Sequence, residues 1–98
     1  MLEDVTIDTF QPHVGTSFTV ELPGGDALSL LLSEVHASAT DDDSRRKRAP
    51  FSLIFRPPAG RMILQGTYRI DGAAGAMELF LVPIVPDRDG PRIQAVFT

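Results

Sequence analysis

The chain has 98 residues, enough for one small domain spanning residues 1–98, and its 43% hydrophobic and 22% charged residues are typical of a soluble globular protein. A formal net charge of -4 argues against a protein that binds nucleic acid by neutralising its phosphates. The absence of cysteine excludes disulfides, thiolate metal sites and a cysteine nucleophile.

The N-terminal stretch predicts no targeting or membrane segment. It begins with acidic residues where a signal peptide is basic, and no apolar run is long enough to span a bilayer, so we expect a cytoplasmic protein. Residues 8–11 have the form of a capping box, but Pro12 and Gly15 limit it to one helical or 3₁₀ turn. Its apolar side chains are expected to cover an open end or the second face of a sheet; they are Leu2, Val5, Ile7, Phe10 and Val14.

Short apolar runs alternate with turn-forming clusters of glycine, proline and aspartate along the rest of the chain, which predicts hairpin-linked β-strands. The predicted strands are Ser17–Leu22, Ala27–Ala37, Phe51–Arg56, Gln65–Ile70, Ala76–Val85 and Arg92–Phe97. The apolar face of the second strand changes side partway along, which a β-bulge near Leu31–Leu32 explains, although a helix is the competing interpretation there. Pro83 predicts a bulge, a bend or a lost neighbour in the fifth strand.

These elements predict an all-β fold, a single small antiparallel meander closed into a six-stranded barrel, with a two-sheet sandwich as the alternative. The period-2 pattern places Leu53 inside and Ser52 outside. The predicted core consists of Phe18, Val20, Phe51, Leu53, Phe55, Tyr68, Ile70, Leu79, Leu81, Ile93 and Phe97.

The charged stretch Asp41–Arg48 has three acids followed, after a serine, by four bases. A solvated hairpin loop is the simplest interpretation, and we expect it to contribute little to folding. A basic docking patch is the functional alternative, and it would consist of Arg45, Arg46, Lys47 and Arg48. The neighbouring aspartates repel phosphate, so nucleic acid is not the expected partner.

Residues with catalytic or metal-binding chemistry are few. His13 and His36, with Glu34 on the strand face of His36, lack the spacing of a known metal site. Asp87-Arg88-Asp89-Gly90 fits a β-turn better than a calcium loop. Tyr68-Arg69 places an aromatic residue beside a base, as a stacking platform requires. The sequence has no nucleophile elbow or phosphate-binding loop, so we expect neither an enzyme nor a bound cofactor or metal.

Two C-terminal strands are apolar on both faces, whereas an isolated barrel buries only the inner one. We expect the N-terminal segment to cover part of the outer face and the remainder to serve self-association or a protein partner. The candidate interface residues are Phe80, Val82, Ile84 and Val96.

Four stretches of the chain carry a family resemblance: Phe10–Phe18, Pro50–Arg56, Gln65–Tyr68 and Glu78–Ile84. With them the chain resembles a small bacterial family of about 100 residues, uncharacterised and associated with phage-tail-collar-like proteins. The resemblance implies an accessory role in a tail-like or surface assembly and transfers no site residues.

The absence of catalytic motifs favours a non-enzymatic structural or protein-interaction module. A small-ligand-binding barrel is the alternative, although a barrel of about six strands is normally filled by its own side chains.

Overall fold

The computed structural model describes residues 7–37, 51–73 and 75–97. In these ranges the chain forms a helical turn, α1 (Ile7–Phe10), two 3₁₀ turns at Gln11–His13 and Pro23–Gly25, and six strands. The strands are β1 (Ser17–Glu21), β2 (Ala27–Ala37), β3 (Phe51–Arg56), β4 (Gly66–Gly72), β5 (Gly75–Asp87) and β6 (Gly90–Phe97). The predicted strands and the predicted N-terminal turn are therefore confirmed, with small shifts at their ends.

The strands form a closed antiparallel barrel in the order β1-β2-β3-β6-β5-β4, so the barrel and not the sandwich is correct. The connectivity differs from a single meander at one point. The chain builds two three-stranded meanders, β1–β3 and β4–β6, and β3 is a neighbour of β6 and not of β4. Residues 57–65 therefore cross one end of the barrel between the meanders. Strand alternation carries no information on this choice of neighbours, which explains why the sequence pattern missed it.

The register of β2 confirms the predicted bulge and rules out the helix. Leu32 is opposite Phe55 on β3, but the next partner on β2 is Glu34, opposite Ile54, so Ser33 is the extra residue. One inserted residue exchanges the two faces of a strand. Leu28, Leu30 and Leu32 consequently point inward before the bulge, and Val35 packs against the core after it.

The barrel interior is filled by side chains. Every predicted core residue is buried except Tyr68, which is half-buried against the core. Leu53 is fully buried while Ser52 is only partly so, which confirms the predicted register of β3. Rings pack directly: Phe51 stacks on Phe97 with centroids 4.5 Å apart, and Phe18 meets Phe55 edge-on at 5.7 Å.

Apolar residues outside the strands cover both ends of the barrel. Phe10 of α1 is 1% exposed and lies within 6.3 Å of the rings of Phe18, Phe51 and Phe97. At the other end, Ile63 of the crossing connection is buried in the same core. Of the two predicted positions for the N-terminal turn, the open end of the barrel is therefore correct for Phe10, and the outer face is wrong for the described residues, because Phe10 reaches greater burial at the barrel end.

The middle strand of each meander extends beyond its first neighbour. β1 pairs with β2 only as far as Leu31, and β4 pairs with β5 only as far as Leu81. Pro83 lies just beyond Leu81, the last β5 residue that has a partner on β4. A residue without a backbone N–H group is tolerated there because no β4 acceptor lies opposite it. It still pairs with Ile93 of β6, and the register of the β5–β6 pair shifts beyond Ile84.

Candidate interaction surface

An apolar row lies on the outer wall of the barrel along β5. Because alternate residues point to opposite faces and Leu79 and Leu81 point inward, Phe80, Val82 and Ile84 point outward. Phe80 is 52% exposed, whereas Val82 and Ile84 are half-buried. On neighbouring β6, Val96 is 59% exposed. We call Phe80, Val82, Ile84 and Val96 the outer strip.

The strand register makes the outer strip continuous. Gln94 of β6 is the direct partner of Val82, and Val96 lies two residues further along β6 on the same face. On the other flank, Thr67 of β4 is the partner of Phe80. The predicted interface residues therefore adjoin one another, and their apolar surface is partly open to solvent. Val85, further along β5, is 76% exposed.

A charged cluster lies beside the strip at the end of the β5–β6 hairpin. The guanidinium of Arg56 donates to both carboxylate oxygens of Asp87, at 2.9 and 2.7 Å. The same Arg56 Nη1 donates to the Gly90 carbonyl at 3.2 Å. Paired hydrogen bonds of this kind fix orientation as well as distance. Arg56 thus fastens the hairpin to β3.

This geometry changes the acidity of the pair. The Arg56 hydrogen bonds are the largest cause that lowers the pKa of Asp87 to about 2, and the backbone N–H of Asp89 adds to it. The carboxylate of Asp87 in turn raises the pKa of Arg56. Both groups are therefore charged at neutral pH, and the cluster is an ion pair and not a proton donor–acceptor pair.

Arg92 completes the cluster. Its Nε and Nη2 donate to the Val85 carbonyl at 3.0 and 2.7 Å, and Nε lies 3.8 Å from Asp87. Because Arg56 already bonds both oxygens of Asp87, the charge of Arg92 is less fully compensated. Sequence patterns missed this cluster, since Arg56 and Asp87 are 31 residues apart and no local spacing links them.

His36 and Glu34 lie together on the outer wall, as predicted, with Nε2 of the histidine 2.5 Å from Oε1 of the glutamate. Both side chains are well exposed, so water screens the pair. Within residues 7–37, 51–73 and 75–97, no group of three potential ligands that could hold a metal ion is found. His13 lies in the N-terminal 3₁₀ turn, where its carbonyl accepts a hydrogen bond from the Thr16 hydroxyl.

Two other predicted features have clear outcomes. Tyr68 points inward and its hydroxyl donates to the Leu64 carbonyl at 2.5 Å, whereas Arg69 points outward to Glu21, 3.2 Å away. They are thus on opposite faces and form no stacking platform. The segment from Asp87 to Gly90 is a turn, as predicted, with Gly90 at φ 112.

The basic loop Arg45, Arg46, Lys47 and Arg48 lies outside the described residues, so its docking hypothesis stays a prediction. Among the helices that the structure describes, none has the length and apolar character needed to cross a membrane.

The chain belongs to the DUF6916 family, a domain of unknown function whose family model matches residues 5–97. This match confirms the resemblance to a small uncharacterised family. Comparison with curated proteins and with solved structures finds no match to either.

Proposed function

We propose that this DUF6916 chain is a non-enzymatic protein-interaction module, and that the outer strip is its contact surface. The exposure of Phe80 beside Val96 is the observation that carries the proposal. Fully burying an exposed Phe side chain is worth roughly 1.5–3 kcal/mol, and Phe80, at 52% exposed, has about half of its surface left to bury against a partner. On other strands the outer wall presents polar side chains such as Thr19, Ser29 and Arg69, and also Leu31 of β2, which is 40% exposed.

The backbone edge of β5 beside the outer strip is poorly suited to pairing with a partner strand. This favours binding through the side chains of the outer strip. Beyond Leu81, β5 has no β4 residue opposite it, and this stretch contains Pro83 and Pro86. Prolines on a strand edge remove donors and discourage the addition of another strand. A partner therefore gains more from the side chains of the outer strip than from the backbone of β5.

The filled interior argues against the small-ligand barrel. Phe18, Phe55 and Leu81 occupy the space that such a ligand would need, and each is at most 1% exposed. An accessory role in a phage-tail-like or surface assembly, after synthesis in the cytoplasm, is the setting we propose, and the family resemblance supports it.

A photo-crosslinking experiment tests the proposal in cells that express the chain naturally. We would place benzoylphenylalanine at position 80 and, as a matched control, at Ser29, an exposed outer residue of β2. We expect protein adducts, identified by mass spectrometry, from position 80 and not from position 29. Equal or absent adduct formation at the two positions would contradict an interaction role for the strip.

A further inference from the structure

We propose that the protein covering the outer strip is a second copy of this chain, packed face to face and antiparallel across a two-fold axis perpendicular to β5. This inference rests on the proposed function and specifies its partner. It follows from the order of side chains along the outer row of β5 and from the charges at the two ends of that row.

The row reads Glu78, Phe80, Val82, Ile84, with an acid at one end. At the other end the direct partner of Ile84 on β6 is Arg92. The six residue-to-residue steps from Glu78 to Ile84 span about 20 Å of strand. A base and an acid thus lie at opposite ends of one apolar row.

Reversing a second copy over the first makes the row self-complementary, as a two-fold interface requires. Phe80 of one copy then lies over Val82 of the other. Glu78 lies over Ile84 beside Arg92, and the same contact forms again at the other end. A parallel arrangement would instead place Glu78 of one copy against Glu78 of the other, where two like charges repel.

Neighbouring charges on the wall do not cancel this pattern. Arg69, the cross-strand partner of Glu78, is also paired with Glu21. At the opposite end, Asp87 is held through both oxygens by Arg56. Glu78 and Arg92 therefore remain the charges nearest the two ends of the strip.

The strip is narrow, so we expect a weak dimer. Interfaces below about 1,200 Å² are usually transient, and the polar flanks Thr67 and Gln94 limit the apolar area here. The association is therefore best measured by sedimentation velocity over a wide range of concentrations.

The decisive experiment uses two charge-reversal variants, Glu78→Arg and Arg92→Glu. Each alone places like charges at both ends of the dimer, so we expect its dissociation constant to rise about tenfold or more. Mixed in equal amounts, the two variants form a heterodimer with opposite charges at both ends, and we expect association to return. Ser29→Asp, on the far wall, is the control and should leave the wild-type dimer unchanged.

A crosslinking experiment covers the case in which Arg92→Glu loses its fold together with the Val85 hydrogen bonds. Because the natural chain has no cysteine, Glu78→Cys and Ile84→Cys introduce single thiols. A short bis-maleimide should join the two variants when they are mixed, but not either variant with itself. Self-crosslinking of Glu78→Cys would instead indicate the parallel arrangement and overturn the proposal.

The outcomes separate this inference from the proposed function. A wild-type chain that stays monomeric at the highest concentration overturns the second copy, while adducts from position 80 to another protein would still support an interaction module. A dimer that survives Phe80→Asp overturns the use of this face. A dimer that needs Phe80 but is not restored by mixing the charge-reversal variants overturns the antiparallel arrangement alone.

Discussion

In each of the two meanders the middle strand, β2 or β5, extends beyond its pairing with the first strand. The two meanders differ in what lies beside this unpaired half of the middle strand. In β1–β3, the chain before β1 continues the pairing of β2: Leu32 donates to the Thr16 carbonyl at 2.9 Å and accepts from the Gly15 N–H at 2.8 Å. In β4–β6, the stretch of β5 beyond Leu81 contains two prolines, and Arg92 bonds the Val85 carbonyl. The first meander therefore pairs the backbone of β2 with the chain before β1. In the second meander, prolines reduce the capacity of β5 to pair with another strand.

This difference assigns separate tasks to the two halves. The N-terminal half uses its extra residues to bring Phe10 into the core, which stabilises the barrel. The C-terminal half leaves Phe80 and Val96 exposed on the outside. Proteins commonly combine a stable scaffold with a surface that is left available for contact.

The largest effect is expected where the N-terminal half closes the barrel. Phe10→Ala should lower the free energy of unfolding by about 3–5 kcal/mol, because it leaves a cavity among Phe18, Phe51 and Phe97. Phe80→Ala, its matched control in the other half, should cost less than about 1 kcal/mol. Urea denaturation of both variants measures the contrast, and equal losses would contradict the division of tasks.

A smaller effect is expected where the two halves meet. A Cβ on Gly72 of β4 would fall on the Phe18 ring of β1, with Cγ and Cε2 at 2.8 Å. Overpacking of this kind costs about 1–3 kcal/mol, so Gly72→Ala should lower the melting temperature by several degrees. Gly66→Ala is the control at the other end of β4, since its Cβ would meet only Tyr68 Cε1 at 3.7 Å. Indistinguishable melting curves for the two variants would show that the Phe18 ring moves aside freely.

The cluster on the C-terminal hairpin predicts a pH effect. Because the pKa of Asp87 is lowered from 3.8 to about 2, its contribution to stability is present above about pH 4 and is lost as the pH falls through about 2. Asp87→Asn should therefore melt below the wild type at about pH 6, and the gap should narrow towards about pH 2. Asp71→Asn, at an exposed site on β4, is the control. A gap of constant size across this range would rule out the ion pair as its source.

The smallest effect on stability is expected for the two prolines of β5. Their replacement also tests most directly the difference between the unpaired halves of β2 and β5. Replacing Pro83 and Pro86 by Thr in a Phe80→Asp background should change the unfolding free energy by no more than about 0.5 kcal/mol. It should nevertheless increase aggregation, because the free half of β5 regains its donors. Light scattering over time, with Pro58→Thr as the control, measures this. Unchanged scattering would indicate that the prolines do not protect the edge.

The sequence allowed prediction of the features that depend on neighbouring residues. Alternation of apolar and polar side chains placed Leu53 inside and Ser52 outside, and the change of face in β2 revealed the bulge. Turn chemistry predicted the β-turn from Asp87 to Gly90, where Gly90 has a positive φ. Each of these signals is contained in a few consecutive positions, where steric and hydrophobic preferences act directly.

Long-range choices could not be predicted in this way. Whether β3 adjoins β4 or β6 depends on how whole strands pack, and the alternation is the same in either case. The Arg56–Asp87 pair exists only because that choice brings β3 close to the end of the hairpin. Alternation along β5 and β6 placed the four residues of the outer strip on the outer face, and their role as an interface stays a prediction. Their exposure depended on where Phe10 packs, and no local pattern specified that position.

The seam between β1 and β4 has a consequence for how the barrel opens. Within the described residues, these strands are in register only at Thr19 with Asp71 and Val20 with Ile70, whereas β3 and β6 pair over five positions. Local opening is cheapest where the fewest backbone hydrogen bonds must break. Amide hydrogens of Val20 and Ile70 should thus exchange with solvent sooner than those of Leu53 and Ala95. The pairing of β1 with β4 would then open and close repeatedly, while the rest of the sheet, including the β3–β6 pair, stays hydrogen-bonded.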